Sequence, residues 1–574
     1  QNTALGFNAL SANTTVSLLT AVGYGALRNN TTGIANTAVG STALYNNTTG
    51  QQNVGIGYEA LVSNISGNFN TALGTAALRV SSTGSDNTAL GYNAMSANTT
   101  GSDNVAIGHQ SLLNNKTDNY NTAVGVRALF AHLGGLGPNT AVGYQALSAT
   151  SVGFLNTAVG YQALFKNVVG AGNVGIGHES MTNTTGNYNT AVGTSSLYAN
   201  LGGSYNVAIG YASNIANTTG DYNVTIGSNA LSSNTDGTRN TAIGYNSVLS
   251  NITGDDMIGI GYQALYNNTT NAIIGIGTQA LSANTTGVRN IALGYHALSN
   301  NVNGSNNIAI GTEALFNNVS FGSCIAIGYQ ALNNSVTGTD NTAVGTSALR
   351  ENTTGDYNVA IGSAALTNNV GGVHNVAVGV NALNFSVSGT DNVAIGYQTL
   401  YNNTDNFNTA IGHQSMFTNT TGTSNVGCGM NTLLYNQSGD QNTAVGNEAL
   451  RENTTANYNA ALGANALLMN TTGSANVALG MNALSSSTTS SSNSAVGYAS
   501  LENNTTGNNN TALGYQSLLI NTVGSQNTII GSRADVSSNS GMTNATALGY
   551  NAIVNANNKV RIGNTSVTVI EGQV

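Results

Sequence analysis

The sequence predicts an all-β chain, a parallel β-solenoid, on three observations: a glycine that returns every 17 residues, a composition of Gly, Asn, Thr and small apolar residues, and very little charge. The glycine closes runs such as NTAVG and falls at Gly6, Gly23, Gly40, Gly57, Gly74, Gly91, Gly108 and Gly125, each 17 apart. After one 18-residue step to Gly143 the series continues to Gly531 with only three steps of 16. So short a period means one coil per repeat, because no independent domain can be built from 17 residues. Of 574 residues 72 are Gly, one is Pro, and 6% are charged. An average soluble chain has about 5% Pro and about 25% charged residues. The side chains needed for salt-bridge networks, metal cages or acid–base pairs are therefore scarce.

Within a coil such as NTAVGYQALFKNVVGAG, Asn156 to Gly172, the elements follow in order. Thr157 and Val159 alternate with small residues, the period of a strand. The Ala163-Leu164 pair predicts the start of a second strand. The Asn-Asn-Thr-Thr-Gly segment, as at Asn46 to Gly50, is a turn by composition, since Asn and Gly tolerate positive φ and Thr hydroxyls bond local backbone. Helix is disfavoured by the load of Gly, Asn and Thr. Between the two expected strands, Val159 and Leu164 are assigned to the interior, which leaves Ala158 and Gly160 as a flat outer face.

Stacking of such coils about 4.8 Å apart puts equivalent residues in columns. The Asn that opens each strand (Asn36, Asn53, Asn70, Asn87, Asn104, Asn121) becomes a ladder of side-chain amides. The residue after the glycine is often Tyr, giving an aromatic column at Tyr24, Tyr58, Tyr92, Tyr144, Tyr161, Tyr211, Tyr245 and Tyr262, continued by Tyr295 and Tyr329. These tyrosines are the candidate surface contacts. About 33 coils make a shaft near 160 Å long at that spacing. The 17-residue repeat covers 1–543, and 544–574 forms a different terminal segment, in which Gly549 and Gly563 are 14 apart. One coil buries too little apolar surface to fold by itself, and the apolar or small faces of the strand predict a partner copy, with cyclic symmetry as the closed solution.

The runs NTAVG, NVAIG and NTALG resemble the head repeats of trimeric autotransporter adhesins, the YadA-like left-handed β-roll, and their relatives in bacteriophage tail-fibre shafts. The likeness spans almost the whole chain, but that family's coil has about 14 residues; the longer Asn-Asn-Thr-Thr-Gly turn accounts for the difference. The segment NATALGYNAIVNANNKVRIGNTSVTVIEGQV is similar to the one preceding the endosialidase-type intramolecular chaperone of tail fibres. The resemblance implies a homotrimer and a processing point near Val574. Gln1 is not preceded by an initiator Met or a signal peptide in this sequence, as in a mature or truncated product.

The remaining candidates are isolated. His109, His178 and His413 occupy the tyrosine column, and His109 and His178 lie four coils apart, too far to share a metal. Cys324 sits in the Asn column and Cys428 in the Val column six coils later, beyond disulfide reach; a bond between equivalent cysteines of two copies is the alternative. Asp86, Asp103, Asp221, Asp340, Asp356, Asp391 and Asp440 precede the Asn column singly and read as solvated turns; only Asp255 and Asp256 are adjacent. Glu59, Glu179, Glu313 and Glu448 fall on different coils, so a glycosidase pair has no support. Asn-Thr-Thr triplets match a glycosylation acceptor but read as turns. The interruption from Ala131 to Pro138 reads as a bulge.

Net charge is −9, with no basic footprint for nucleic acid and no apolar run for membrane insertion. No enzyme activity and no cofactor is expected. The functional expectation is a non-enzymatic, extracellular, homotrimeric fibre on a bacterial surface or virion tail, attaching to a glycan or receptor. The alternative is a purely structural self-assembling filament or matrix protein.

Overall fold

Each coil contributes one three-residue strand, and successive strands pair in parallel with the period of the sequence. In the computed structural model, which describes residues 1–135, 137–538 and 541–571, Thr37–Val39 aligns with Val54–Ile56 so that Thr37, Ala38 and Val39 stand beside Val54, Gly55 and Ile56. The chain forms two compact units, Gln1–Val288 and Arg289–Val574. Each is a β-solenoid built on such a ladder, with no helix among the described residues. Leu136, within the interruption, and Val574, the expected processing point, lie outside the described residues.

The expected second strand is not formed. Between Gly40 and Asn47 the backbone makes two consecutive turns, closed by Ala43 N–H to Gly40 O at 3.4 Å and Asn47 N–H to Leu44 O at 3.1 Å. Leu44 has a φ of 51° and Thr42 one of 56°. A left-handed non-glycine residue carries a steric penalty of about 1–2 kcal/mol. It persists here because each such backbone is fixed from the neighbouring coils, as where Leu44 N–H donates to Ala60 O at 2.9 Å.

The interior is also the reverse of the expected one on the strand. Ala158 is completely buried, whereas Val159 is 36% exposed; Leu164 is buried as expected. The cause is the narrowness of the coil. Where Gly55 replaces the alanine, a Cβ would lie 3.2 Å from Leu44 Cγ and 3.3 Å from Ala60 O, so a small residue is favoured beside the leucine. Larger residues enter this column at Thr225, whose hydroxyl donates to Val207 O at 3.0 Å, and at Ile529, which pairs with Ala512 and is completely buried. The commonest core of a coil is thus Ala-Ala-Leu, as in Ala38, Ala43 and Leu44, and the β-branched residues at the first and third strand positions face outward.

Two asparagine ladders flank this core. In the outer one, Asn53 donates its backbone N–H to Asn36 Oδ1 at 2.8 Å and its side-chain amide to Gly67 O at 2.8 Å. The inner one comes from the turn: Asn47 donates its amide to Asn30 Oδ1 at 2.7 Å and to Gly50 O at 2.9 Å. Both columns are buried, and most of their polar atoms are satisfied by the neighbouring coils, the inner ladder with gaps such as Asn64 Oδ1 and Asn115 Oδ1.

The glycine that marks the period is obligatory for two reasons. At Gly74 φ is 136°, and an added Cβ would stand 2.6 Å from Gly91 O. Length variation is absorbed in the loops while strand register is kept: Thr122 pairs with Thr140 across the 18-residue step and Val174 with Thr190 across a step of 16. Near the C-terminus the geometry changes. Asp535–Val536 pairs with Ile553–Val554 in a second, two-stranded sheet, and Thr546 pairs with Val560 at a 14-residue step.

Candidate functional site

Two surfaces are built by the repeat itself. The first is the outer face of the strands, where the first and third residues project. In the first unit it presents Thr157 and Val159, Val174 and Ile176, Val207 and Ile209, and Val224 and Ile226 in successive or near-successive coils, with none of them fully buried. No charge interrupts this set.

The second is the aromatic column after the glycine. Tyr24, Tyr58, Tyr92, Tyr144, Tyr161, Tyr211, Tyr245 and Tyr262 are all exposed. Where two aromatics follow in adjacent coils, their rings stack: Tyr144 and Tyr161 have centroids 5.3 Å apart and planes 11° from parallel. The three histidines join the same stacks. His109 lies 5.4 Å from Tyr92, His178 4.9 Å from Tyr161, and His413 5.3 Å from Tyr397. A hydrogen bond from Tyr58 to Glu59, together with that carboxylate's charge, raises the Tyr58 phenol above its ordinary range.

A second aromatic column, one residue before the outer Asn, was not singled out from the sequence. Tyr188, Tyr205 and Tyr222 stack there at 5.3 and 5.1 Å. The signal was present, since Phe69, Tyr120, Tyr357, Phe407 and Tyr458 all stand immediately before an Asn in the same phase.

The acidic residues are parts of ladders. Asp221, Asp255, Asp356 and Asp440 each accept the backbone N–H of the equivalent residue one coil earlier, as Asp356 does from Thr339 at 2.7 Å. Asp256 binds Arg239 at 2.6 and 2.9 Å, and this hydrogen-bonded pairing holds its carboxyl below the usual range. The glutamates are engaged separately, Glu59 near Arg79 at 3.9 Å and Glu313 with Gln330 at 2.8 Å. Among the described residues no group of three His, Cys, Asp or Glu is placed to hold a metal ion.

Cys324 fills the outer Asn column, its N–H donating to Asn307 Oδ1 at 3.1 Å and its thiol to Gly338 O at 3.4 Å. Burial pushes this thiol up to about 11. Cys428 is exposed on the strand face.

The interruption contains the one buried histidine. His132 replaces an asparagine of the inner ladder, with Nε2 3.0 Å from Asp118 Oδ2, which also accepts the Gly135 N–H. Burial lowers its pKa despite the carboxylate.

Comparison with protein-family models and with curated proteins yields no match to this chain. Among the described residues no helix is long and apolar enough to cross a membrane.

Proposed function

We propose that the chain is a segment of a non-enzymatic, extracellular fibre, homotrimeric and of the surface-adhesin or tail-fibre type, which projects from a cell or virion and attaches to a glycan or receptor. The observation that carries this reading is the outward row of Thr, Val and Ile on the strands. A monomer rarely leaves an apolar patch above about 300–600 Å². Two half-exposed β-branched side chains per strand, repeated through one unit, amount to something on the order of 1,500 Å², more than the ~800 Å² each partner contributes to a standard interface. Copies related by a rotation axis along the strand stack would cover this face completely, because every coil presents the same residues at the same spacing.

The other side of the coil supports a role in contact. It is uncharged over long stretches and carries Tyr, Asn and Thr in exposed columns. Weak contacts repeated along such columns, and again by symmetry, give avidity without a deep pocket.

Sedimentation equilibrium of the full chain tests the reading: a mass three times 58.0 kDa is expected. Lysines placed on the strand face by Val159→Lys, Ile176→Lys and Ile209→Lys should dissociate the assembly while leaving the coils folded. A wild-type chain that stays monomeric at micromolar concentration would overturn it.

A further inference from the structure

The tyrosine column is not uniform, and its interruptions follow a rule. Wherever a single coil separates two tyrosines within one unit, that coil carries a hydroxyl residue: Ser41 between Tyr24 and Tyr58, Thr75 between Tyr58 and Tyr92, Ser228 between Tyr211 and Tyr245, Thr312 between Tyr295 and Tyr329, and Ser532 between Tyr515 and Tyr550. Elsewhere in the column Val126, Val380, Met430, Asn447, Ala464 and Met481 occur, so the position itself does not demand a hydroxyl.

Stacked rings occupy each other's faces. A continuous run such as Tyr144, Tyr161 and His178, with centroids 5.3 and 4.9 Å apart, leaves mainly ring edges for a ligand. An interrupted run differs. Two rings separated by a Ser or Thr stand about 10 Å apart, twice the coil spacing. At Thr312 and Ser532 the gap is already entered, by His296 with its ring 4.0 Å from that of Tyr295 and by Arg533 over Tyr515. The slots at Ser41, Thr75 and Ser228 have no such ring or guanidinium contact among the described residues and carry a hydroxyl on the floor. A planar guest in van der Waals contact with both walls needs about 3.5 Å on each side, roughly 7 Å in all, and sits loosely. A puckered saturated ring with C–H groups on both faces is thicker and reaches both walls.

The rim is polar and planar. One residue further on, Asn229 donates its amide to Asn246 at 3.3 Å beside the Ser228 slot, and the Glu59 carboxylate stands beside Tyr58, the wall shared by the Ser41 and Thr75 slots. Amides and carboxylates of this kind offer paired donors and acceptors to vicinal hydroxyls. The walls are half in solvent, Tyr58 being 53% exposed, so a ligand enters without rearrangement.

We infer that the open Tyr–hydroxyl–Tyr slots are shallow binding sites for single rings of a neutral hexopyranose polysaccharide, one ring per slot. The inference rests on the attachment reading above and gives it a ligand class. Each slot is weak, and occupation of several by one chain or by neighbouring chains supplies the affinity.

The test is saturation-transfer NMR of the full chain with maltohexaose, cellohexaose and chitohexaose. At least one is expected to show transfer to its ring C–H protons with millimolar affinity. The decisive variant fills the open gaps with rings, Ser41→Tyr, Thr75→Tyr and Ser228→Tyr. It adds exposed phenols yet should bind at least tenfold more weakly. Adjacent tyrosines are already accommodated at Tyr144 and Tyr161. Should the filled variant not fold, Tyr58→Thr and Tyr211→Thr remove walls using a residue the column already holds, and these should weaken binding as well. Unchanged or tighter binding by a folded variant, or no transfer to any of the three sugars in the wild type, overturns the inference. The trimer mass is read separately, so loss of the slots with the trimer intact leaves the fibre reading standing.

Discussion

Asn64 donates its side-chain amide to Asn47 Oδ1, one coil earlier, at 2.6 Å, and its own Oδ1 finds no hydrogen-bond partner among the described residues. The equivalent position one coil later is Ser81, whose buried hydroxyl is also without a partner. The inner ladder is broken there, because serine is too short to span the coil spacing; it resumes where Asn115 donates to Asn98 at 3.1 Å.

Restoring asparagine should therefore stabilise the protein. In Ser81→Asn the new amide can donate to Asn64 Oδ1 and its carbonyl can accept from Asn98, so one unsatisfied buried acceptor gains a donor and the unpaired Ser81 hydroxyl is removed. Each is worth about 1–3 kcal/mol, and a higher melting temperature with unchanged circular dichroism is the expected result. The converse change, Asn64→Ala, leaves Asn47 Oδ1 without a donor, while Gly67 O keeps the bond from Asn53, and should destabilise by about 1–3 kcal/mol.

Glycines of this chain should respond to alanine in opposite ways. At Gly74 the Cβ of alanine meets Gly91 O at 2.6 Å and Gly91 C at 2.8 Å, with φ at 136°. Backbone on both sides cannot yield, so Gly74→Ala combines a strained conformation with overpacking, a loss of roughly 2–5 kcal/mol. At Gly202 nothing lies within 4 Å of the added Cβ, and its N–H bond to Thr218 O survives the change. Gly202→Ala should be neutral or stabilise by about 0.4–1 kcal/mol, through the unfolded chain. Chemical denaturation of the two variants separates the cases.

The period, the parallel stacking and the outer Asn ladder were legible because each needs only the spacing of residues along the chain. The orientation of the strand was not. Thr-Ala-Val alternates with period two, which fits Val159 inward as well as Ala158 inward, and hydrophobicity favours the valine. The decision belongs to the opposite wall: Leu164 already fills the coil, and a small residue, alanine or glycine, is favoured beside it. That wall was itself misread, because Leu44 and Leu164 sit in left-handed turns, φ 51° and 53°, a conformation for which leucine has no local preference and which stacking imposes. The inner Asn ladder was hidden for a related reason, since an Asn-Asn-Thr-Thr-Gly segment looks like a solvated turn until the neighbouring coil is placed over it. The tyrosine column was evident, but stacking decides whether its faces are free, and that requires reading which residue stands one coil away.

The two thiols should differ in reactivity. Cys428 projects from the exposed strand face, while Cys324 is buried, its thiol pushed up to about 11 by that burial. Reaction depends on thiolate and access. With an aromatic disulfide reagent at pH 8, one thiol per chain of the dissociated Val159→Lys set should react promptly, the second at least a hundredfold more slowly and together with unfolding. In Cys428→Ser the fast phase should vanish; if strand faces are covered by partner copies, dissociation by the Val159→Lys set should accelerate it in the wild-type background.

The pH response of the C-terminal sheet should centre on Asp535. Its carboxylate oxygens accept N–H groups from Val536 at 2.8 Å and Ile520 at 3.2 Å, which favours the ion, but burial is the larger effect and raises its pKa to about 6. The unfolded value is about 3.9. Between these values the folded state holds a proton that the unfolded state has released, so stability falls as pH rises through the window and is greatest below it. A displacement of about two units corresponds to at most about 3 kcal/mol. Hydrogen exchange at Asp535 and Ser537, whose amides bond to Ala552 and Val554 across this sheet, should show protection, corrected for intrinsic rates, that is higher at pH 4 than at pH 7. Asp535→Asn keeps an acceptor for Ile520 and removes the ionisation, so the difference should disappear, leaving protection at pH 7 close to the acid value of the wild type. Protection that rises with pH in the wild type would mean the backbone hydrogen bonds outweigh burial at this carboxylate.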